Sequence, residues 1–184
     1  MAYRHPHPPE KQAPHIALWM LRLLTSPSGL RQFVRKSGFG RDDIAYALGL
    51  DHWIDPEDRA FNPQAVRAEL YQRLDKSRHA CANAPLPALL QANVQRLAAL
   101  VGLNAVDARI LAFAVCLHNE PMRDDTADML DSLTTTQVIK AVAMLLELPE
   151  AQVRQALGSQ GLLARSGLVV IDRSGSGRLK SKLE

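Results

Sequence analysis

The stretch "SLTTTQVIKAVAMLLELPEAQVRQALGSQGLLARSGLVVIDRSGSG", residues 132–177, decides the fold. Thr134 stands three residues before Gln137, the spacing of a capping box, in which each side chain satisfies an orphan backbone N–H of the other's turn. Leu133 against Val138 adds a hydrophobic staple. A helix is expected from here to Leu146, with Val138, Ile139, Val142, Leu145 and Leu146 on its inner side. Leu148-Pro149 makes the turn, and Pro149-Glu150 opens the next helix, where a missing N–H costs nothing and an acid suits the positive end. Val153 and Leu157 face inward one turn apart. Two helices joined by so short a turn form a helix-turn-helix unit. The apolar run "LVVI" (168–171), the turn "DRSGSG" and the segment "RLKSKL" (178–183) then predict a β-hairpin wing. With a further helix expected over 104–118, the pattern is that of a winged helix.

A helix that reads DNA needs side chains able to reach base edges, usually Arg, Lys, Asn or Gln. The outward positions of the second helix offer Glu150, Gln152, Arg154, Gln155 and Ser159. That is one cation and one acid, a thin set for the phosphate contacts that dominate affinity. The wing adds Arg173, Arg178, Lys180 and Lys182, which could grip a backbone. Gln152, Arg154, Gln155, Arg173, Arg178, Lys180 and Lys182 are therefore the candidate contacts, to a protein partner first and to DNA as the alternative.

Charge is segregated along the chain. Residues 1–41 carry seven Lys/Arg against one acid, residues 42–147 nine against fifteen, and residues 148–184 six against three. Such asymmetry points to nucleic acid or acidic partners at the ends, or simply to a solvated surface. The 47% apolar content, rich in Leu and Ala with only 5% aromatics, favours helix over sheet in a chain long enough to bury a core. No apolar run reaches the roughly 18 residues of a membrane span, and "HIALWMLRLL" is interrupted by Arg22, so a cytoplasmic protein without membrane attachment is expected. Cys81 and Cys116 have no metal or redox spacing and read as small hydrophobes.

Residues 1–14, with four prolines and no periodicity, read as a disordered leader. "HIALWMLRLLT" (15–25) is apolar nearly all round and reads as a central buried helix. "LRQFVRKSGF" (30–39) reads as a helix with Leu30, Phe33 and Val34 inward and Gly38 as its C-cap, followed by a short helix at "RDDIAYALGL" (41–50). Asp55-Pro56-Glu57 reads as a turn in a loop anchored by Trp53, Ile54 and Phe61. Asn62-Pro63 starts a long helix burying Val66, Leu70, Tyr71 and Leu74. "NAPLP" (83–87) divides an N-terminal helical subdomain, 15–84, from a winged-helix-like subdomain, 85–184. Leu90, Val94, Leu97 and Val101 step at helical spacing, Gly102 ends that helix and Asn104 caps the next. Asp124, Asp128 and Asp131 share one face of an acidic helix, which reads as solvated rather than metal-binding. The fold class is thus mainly α: a helical bundle followed by a helix-turn-helix with a C-terminal hairpin.

Enzyme signatures are missing from the sequence. There is no GxxxxGK[ST] phosphate loop, no GxGxxG, no HExxH and no GxSxG elbow. Cys116 and His118, two apart on a helix, point in different directions and do not form a nucleophile–base pair. His118 suits the negative end of its helix instead.

The wording itself supplies one more lead. "HIALWMLRLL" (15–24), "GLDHWIDPEDRAFNPQAVRAEL" (49–70), "ILAFAVCLHNEP" (110–121), "TADMLDSLTTTQVIKAVAMLLELPEAQVRQAL" (126–157) and "GLLARSGLVVIDRSGSGRLKSKLE" (161–184) resemble the region preceding the ATPase module in a family of bacterial AAA+ ATPases. The resemblance implies an N-terminal piece of a larger ATPase that binds a substrate protein or adaptor and communicates with the downstream motor. ATP and Mg would belong only to the parent's motor module, with no cofactor in this segment, and oligomerisation would come through the parent chain. The family's phosphate-loop and sensor residues have no counterparts here.

Overall fold

The computed structural model describes residues 14–54, 60–81, 86–119 and 125–184. The leader before Pro14, the turn at Asp55-Pro56-Glu57, most of the boundary at 83–87 and Asp124 lie outside the described residues. What is described is mainly helical, as the Leu/Ala-rich composition predicts.

Helix α1 (Pro14–Leu24) buries nine of its eleven residues, so an apolar surface on every side is what its position demands. Ile16, Leu18, Met20, Leu21 and Leu24 pack into a cluster with Phe33, Val34, Ile44, Leu50, Val66 and Leu70. Trp19 and Leu23, one turn apart, enter a second cluster built on Ile110, Phe113, Leu117, Val138, Val142 and Val153. The clusters are therefore joined through one helix, and Met129, from the far side of the chain, packs in the first of them.

Helix α2 (Pro27–Phe33) begins earlier than the sequence suggests. Ser26 accepts from the Gly29 N–H and Pro27 occupies the first turn, so "SPSG" starts a helix as well as ending one. It also stops earlier: Val34 caps it and bridges Phe39, and Gly38 is not its C-cap. Gly29 is required here, because a Cβ would lie 2.2 Å from the Leu23 carbonyl oxygen.

Helix α3 (Asp42–Ala47) and a 3-10 turn at Asp51–Trp53 lead to α4 (Pro63–Cys81). Asn62 caps α4 by accepting from the Gln64 and Ala65 N–H groups. Val66, Leu70 and Leu74 are buried, whereas Tyr71 is half exposed. One polar hub fixes α4 to the loop before it. Glu69 accepts from Trp53 Nε1 at 2.8 Å and pairs with Arg73, which donates to the Leu48 and Gly49 carbonyls.

Burial alone would raise the Glu69 pKa, but hydrogen bonds from Trp53, Arg73 and His52 outweigh it and hold the carboxyl below its ordinary range. A depressed acid stabilises the fold fully above its unfolded value, about 4.3, and loses that contribution as pH falls through the lower native value. Urea unfolding between pH 7 and pH 3 should therefore show wild type losing more stability on acidification than Glu69→Gln. An identical pH profile for the two would contradict the hub's role.

Helix α5 (Ala88–Val101) ends at Gly102, whose φ of 81° is the left-handed cap that glycine favours. Val94 is buried and Leu90 and Leu97 pack on the second cluster, while Leu89 and Leu100 face solvent. Asn104 caps α6 (Ala105–Asn119), and Asp107 returns a bond to the Asn104 N–H.

Then comes the expected pair. Helix α7 (Thr135–Leu146) carries the complete Thr134/Gln137 capping box, and α8 (Glu150–Ala156) follows after Glu147, Leu148 and Pro149. A short α9 (Leu162–Arg165) comes next. Gly161 sits between α8 and α9 because a Cβ there would meet the Ala156 carbonyl oxygen at 2.2 Å.

The C-terminal segment departs from expectation. No β-hairpin of regular strands forms among the described residues. "RLKSKL" contains a helical turn, α10 (Leu179–Lys182), and only isolated bridges pair Ile171 with Leu183 and Leu133 with Gly177. The reason is legible in hindsight: Leu179 and Leu183 are four apart, the helical and not the strand period, and both are fully buried. Val170 and Glu184 exchange backbone hydrogen bonds of 2.6 and 2.9 Å, so the end of the chain still closes on the "LVVI" segment.

No helix among the described residues is long and apolar enough to cross a membrane.

Candidate recognition groove beside α8

The second helix of the motif, α8, is held inward by Val153 and Ala156. Its outer side, the following turn and the N-terminal end of α6 enclose an open groove of about 800 Å³. Gln152, Arg154, Gln155, Ser159 and Gln160 line it, with Asn104 on the opposite wall. Three of the seven residues expected from the sequence thus share one feature.

The groove is nearly neutral and mixes polar side chains with Val106, Ala156 and Leu162. Arg154 donates to Glu150 one turn back, at 2.5 Å, so the one cation of the outer face is answered by its one acid. The N–H groups at the start of α6 already have Asn104 as acceptor.

The four basic residues beyond α8 line no part of this groove. Arg173 is exposed in the 172–177 loop. Arg178 reaches Asp128 at 2.9 Å, so a residue of the acidic segment that was expected to be a solvated face is used as its partner. Lys180 is half-buried on α10. Lys182 is only 1% exposed, donating to the Ser174 and Gly175 carbonyls at 2.9 and 3.3 Å and facing Asp172 at 3.5 Å. Asp172 itself receives the Ser174 hydroxyl and N–H, which hold its carboxyl below the usual range. This lysine closes a loop from inside.

His118 Nε2 lies 2.7 Å from the Leu183 carbonyl and so donates to it, tying α6 to the end of the chain. Cys116 is buried and Cys81 half-buried. Asp131 accepts from Gln32 across the molecule. Among the described residues no cluster of His, Cys, Asp or Glu is arranged to hold a metal.

A second constellation was missed at the sequence level: Arg22, Arg78 and Arg109 converge with Glu147 on the C-terminal end of α7. The available signal was Arg22 itself, the one charge in an otherwise apolar helix, which a buried position obliges to find partners.

No protein-family model matches this chain, and neither the curated proteins nor the solved structures include a significant match.

Proposed function

We propose that this chain is a non-catalytic recognition module, a helix-turn-helix with a reduced wing, that binds protein through the groove beside α8. The observation that carries this reading is the neutrality of that groove. A surface built to hold a phosphate backbone spends its cations outward; here Arg154 and Arg178 are paired within the chain and Lys182 is buried. Glutamine, asparagine and serine on an open concave surface instead offer the paired donors and acceptors that an extended peptide or a loop can use.

The resemblance to the segment before an AAA+ motor gives this module a setting: recruitment of a substrate protein or adaptor for a downstream ATPase. DNA binding through the same motif is the second reading, supported only by the cations of the terminal segment.

A benzophenone amino acid placed at Gln155 tests the first reading in the source cell. It is expected to cross-link a protein that is lost when Gln152 and Ser159 are changed to lysine, and that the same probe at Arg173 does not capture. Equal capture from both positions, or recovery of nucleic acid at Gln155, would contradict it.

A further inference from the structure

We infer that the cleft between α1, α4 and the C-terminal end of α7 is a binding site for a small organic anion: a phosphate or carboxylate head on a compact apolar body. The cleft has a volume of about 450 Å³, within the size range of small-molecule sites. Leu18, Trp19, Leu86 and Ala112 supply apolar walls, and three arginines line it with Glu147.

The charges do not balance. Arg22 and Arg78 share one carboxylate, Glu147, at 2.7 and 3.1 Å. Arg109 has no ion pair with any described residue and donates to the Leu146 carbonyl. Three cations thus face one anion and the negative end of a helix, which supplies only about half a charge.

Arg22 bears the consequence. It is 9% exposed, and burial, with Arg78 and Arg109 nearby, lowers its pKa against the support of Glu147. Its Nη2 pairs with Glu147, and its Nε, buried away from the cleft, has no acceptor among the described residues. Glu147 is the left-handed C-cap of α7, φ 48° and ψ 52°, and its carboxylate meets both Arg22 and Arg78. A bound anion would complete the arginine forks, which match phosphate and carboxylate oxygens two at a time.

This site is distinct from the groove beside α8 and does not rest on the protein-recognition reading. The test uses the whole chain in a Trp53→Phe background, where Trp19, on the cleft wall, is the one remaining indole. Phenyl phosphate, benzoate and inorganic phosphate are titrated at constant ionic strength, with sodium chloride as control. Phenyl phosphate or benzoate should quench Trp19 saturably and slow maleimide labelling of Cys81, which lines the same cleft. The stronger of the two names the head group, and inorganic phosphate should bind at least about tenfold more weakly, for want of the apolar body. Arg109→Gln should weaken binding about tenfold, the loss of one charged contact. Arg78→Gln, at a half-exposed position, repeats the test should Arg109→Gln fail to fold. No saturable response to either aromatic anion, a response matched by sodium chloride, or unchanged affinity in both variants would overturn the proposal.

Discussion

Phe113→Ala is expected to destabilise the protein by about 3–5 kcal/mol, the cost of a large cavity in a packed interior. Phe113 is 1% exposed, and its ring meets Trp19 edge to face, with centroids 5.1 Å apart. The substitution therefore removes both the apolar volume and the contact through which α1 enters the second cluster. Against a total stability of roughly 5–15 kcal/mol for a domain, that loss is a large share. Its reach is the informative part. Because α1 belongs to both clusters, hydrogen exchange at the α4 amides should accelerate along with exchange in α6. Chemical denaturation followed by Trp19 emission gives the size of the effect. If α4 exchange keeps its wild-type rate, the clusters unfold separately and α1 does not couple them.

Lys182→Ala is the second large effect, expected at about 2–3 kcal/mol from a buried alkyl stem removed together with its hydrogen bonds to two loop carbonyls. The alkyl stem is packed as well as the ammonium bonded, so Lys182→Met should recover the packing part and leave the polar part. Arg173→Ala, on the exposed loop nearby, should stay within about 0.5 kcal/mol. Urea denaturation of the three variants separates the roles. Were Lys182 a surface contact for a partner, its replacement would leave stability untouched.

These two residues also show where the sequence was readable. The helix pair α7–α8 was legible because its signals are local: a capping box, a proline at a helix start, and apolar residues at a helical period. Asn62, Gly102 and Asn104 were legible as caps for the same reason. The C-terminal hairpin was misread because an apolar run, a glycine-serine turn and a basic segment fit a strand pair, while the four-residue step from Leu179 to Leu183 fits a helix. Tertiary packing decided between them by burying both leucines. Lys182 looked like a free cation because nothing in a sequence shows which lysine turns inward. The groove was legible in part. Gln152, Arg154 and Gln155 follow from the outer face of α8, but its opposite wall, near Asn104, comes from α6, some fifty residues earlier in the chain. The arginine cleft was illegible beyond Arg22, since Arg78, Arg109 and Glu147 meet only after α1, α4, α6 and α7 have packed.

The central proposal, that the groove beside α8 presents a surface for protein and not for DNA, meets its most direct test in duplex binding at low salt. Fluorescence anisotropy of a labelled random duplex, titrated with the whole chain at about 20 mM salt, favours any backbone contact the protein can make, because phosphate binding strengthens steeply as salt falls. The account predicts no saturable rise in anisotropy, and no change between wild type and a variant with Arg173 and Arg178 replaced by alanine. Saturable binding that weakens with added salt and with those two substitutions would contradict it and place Arg173 and Arg178 on DNA.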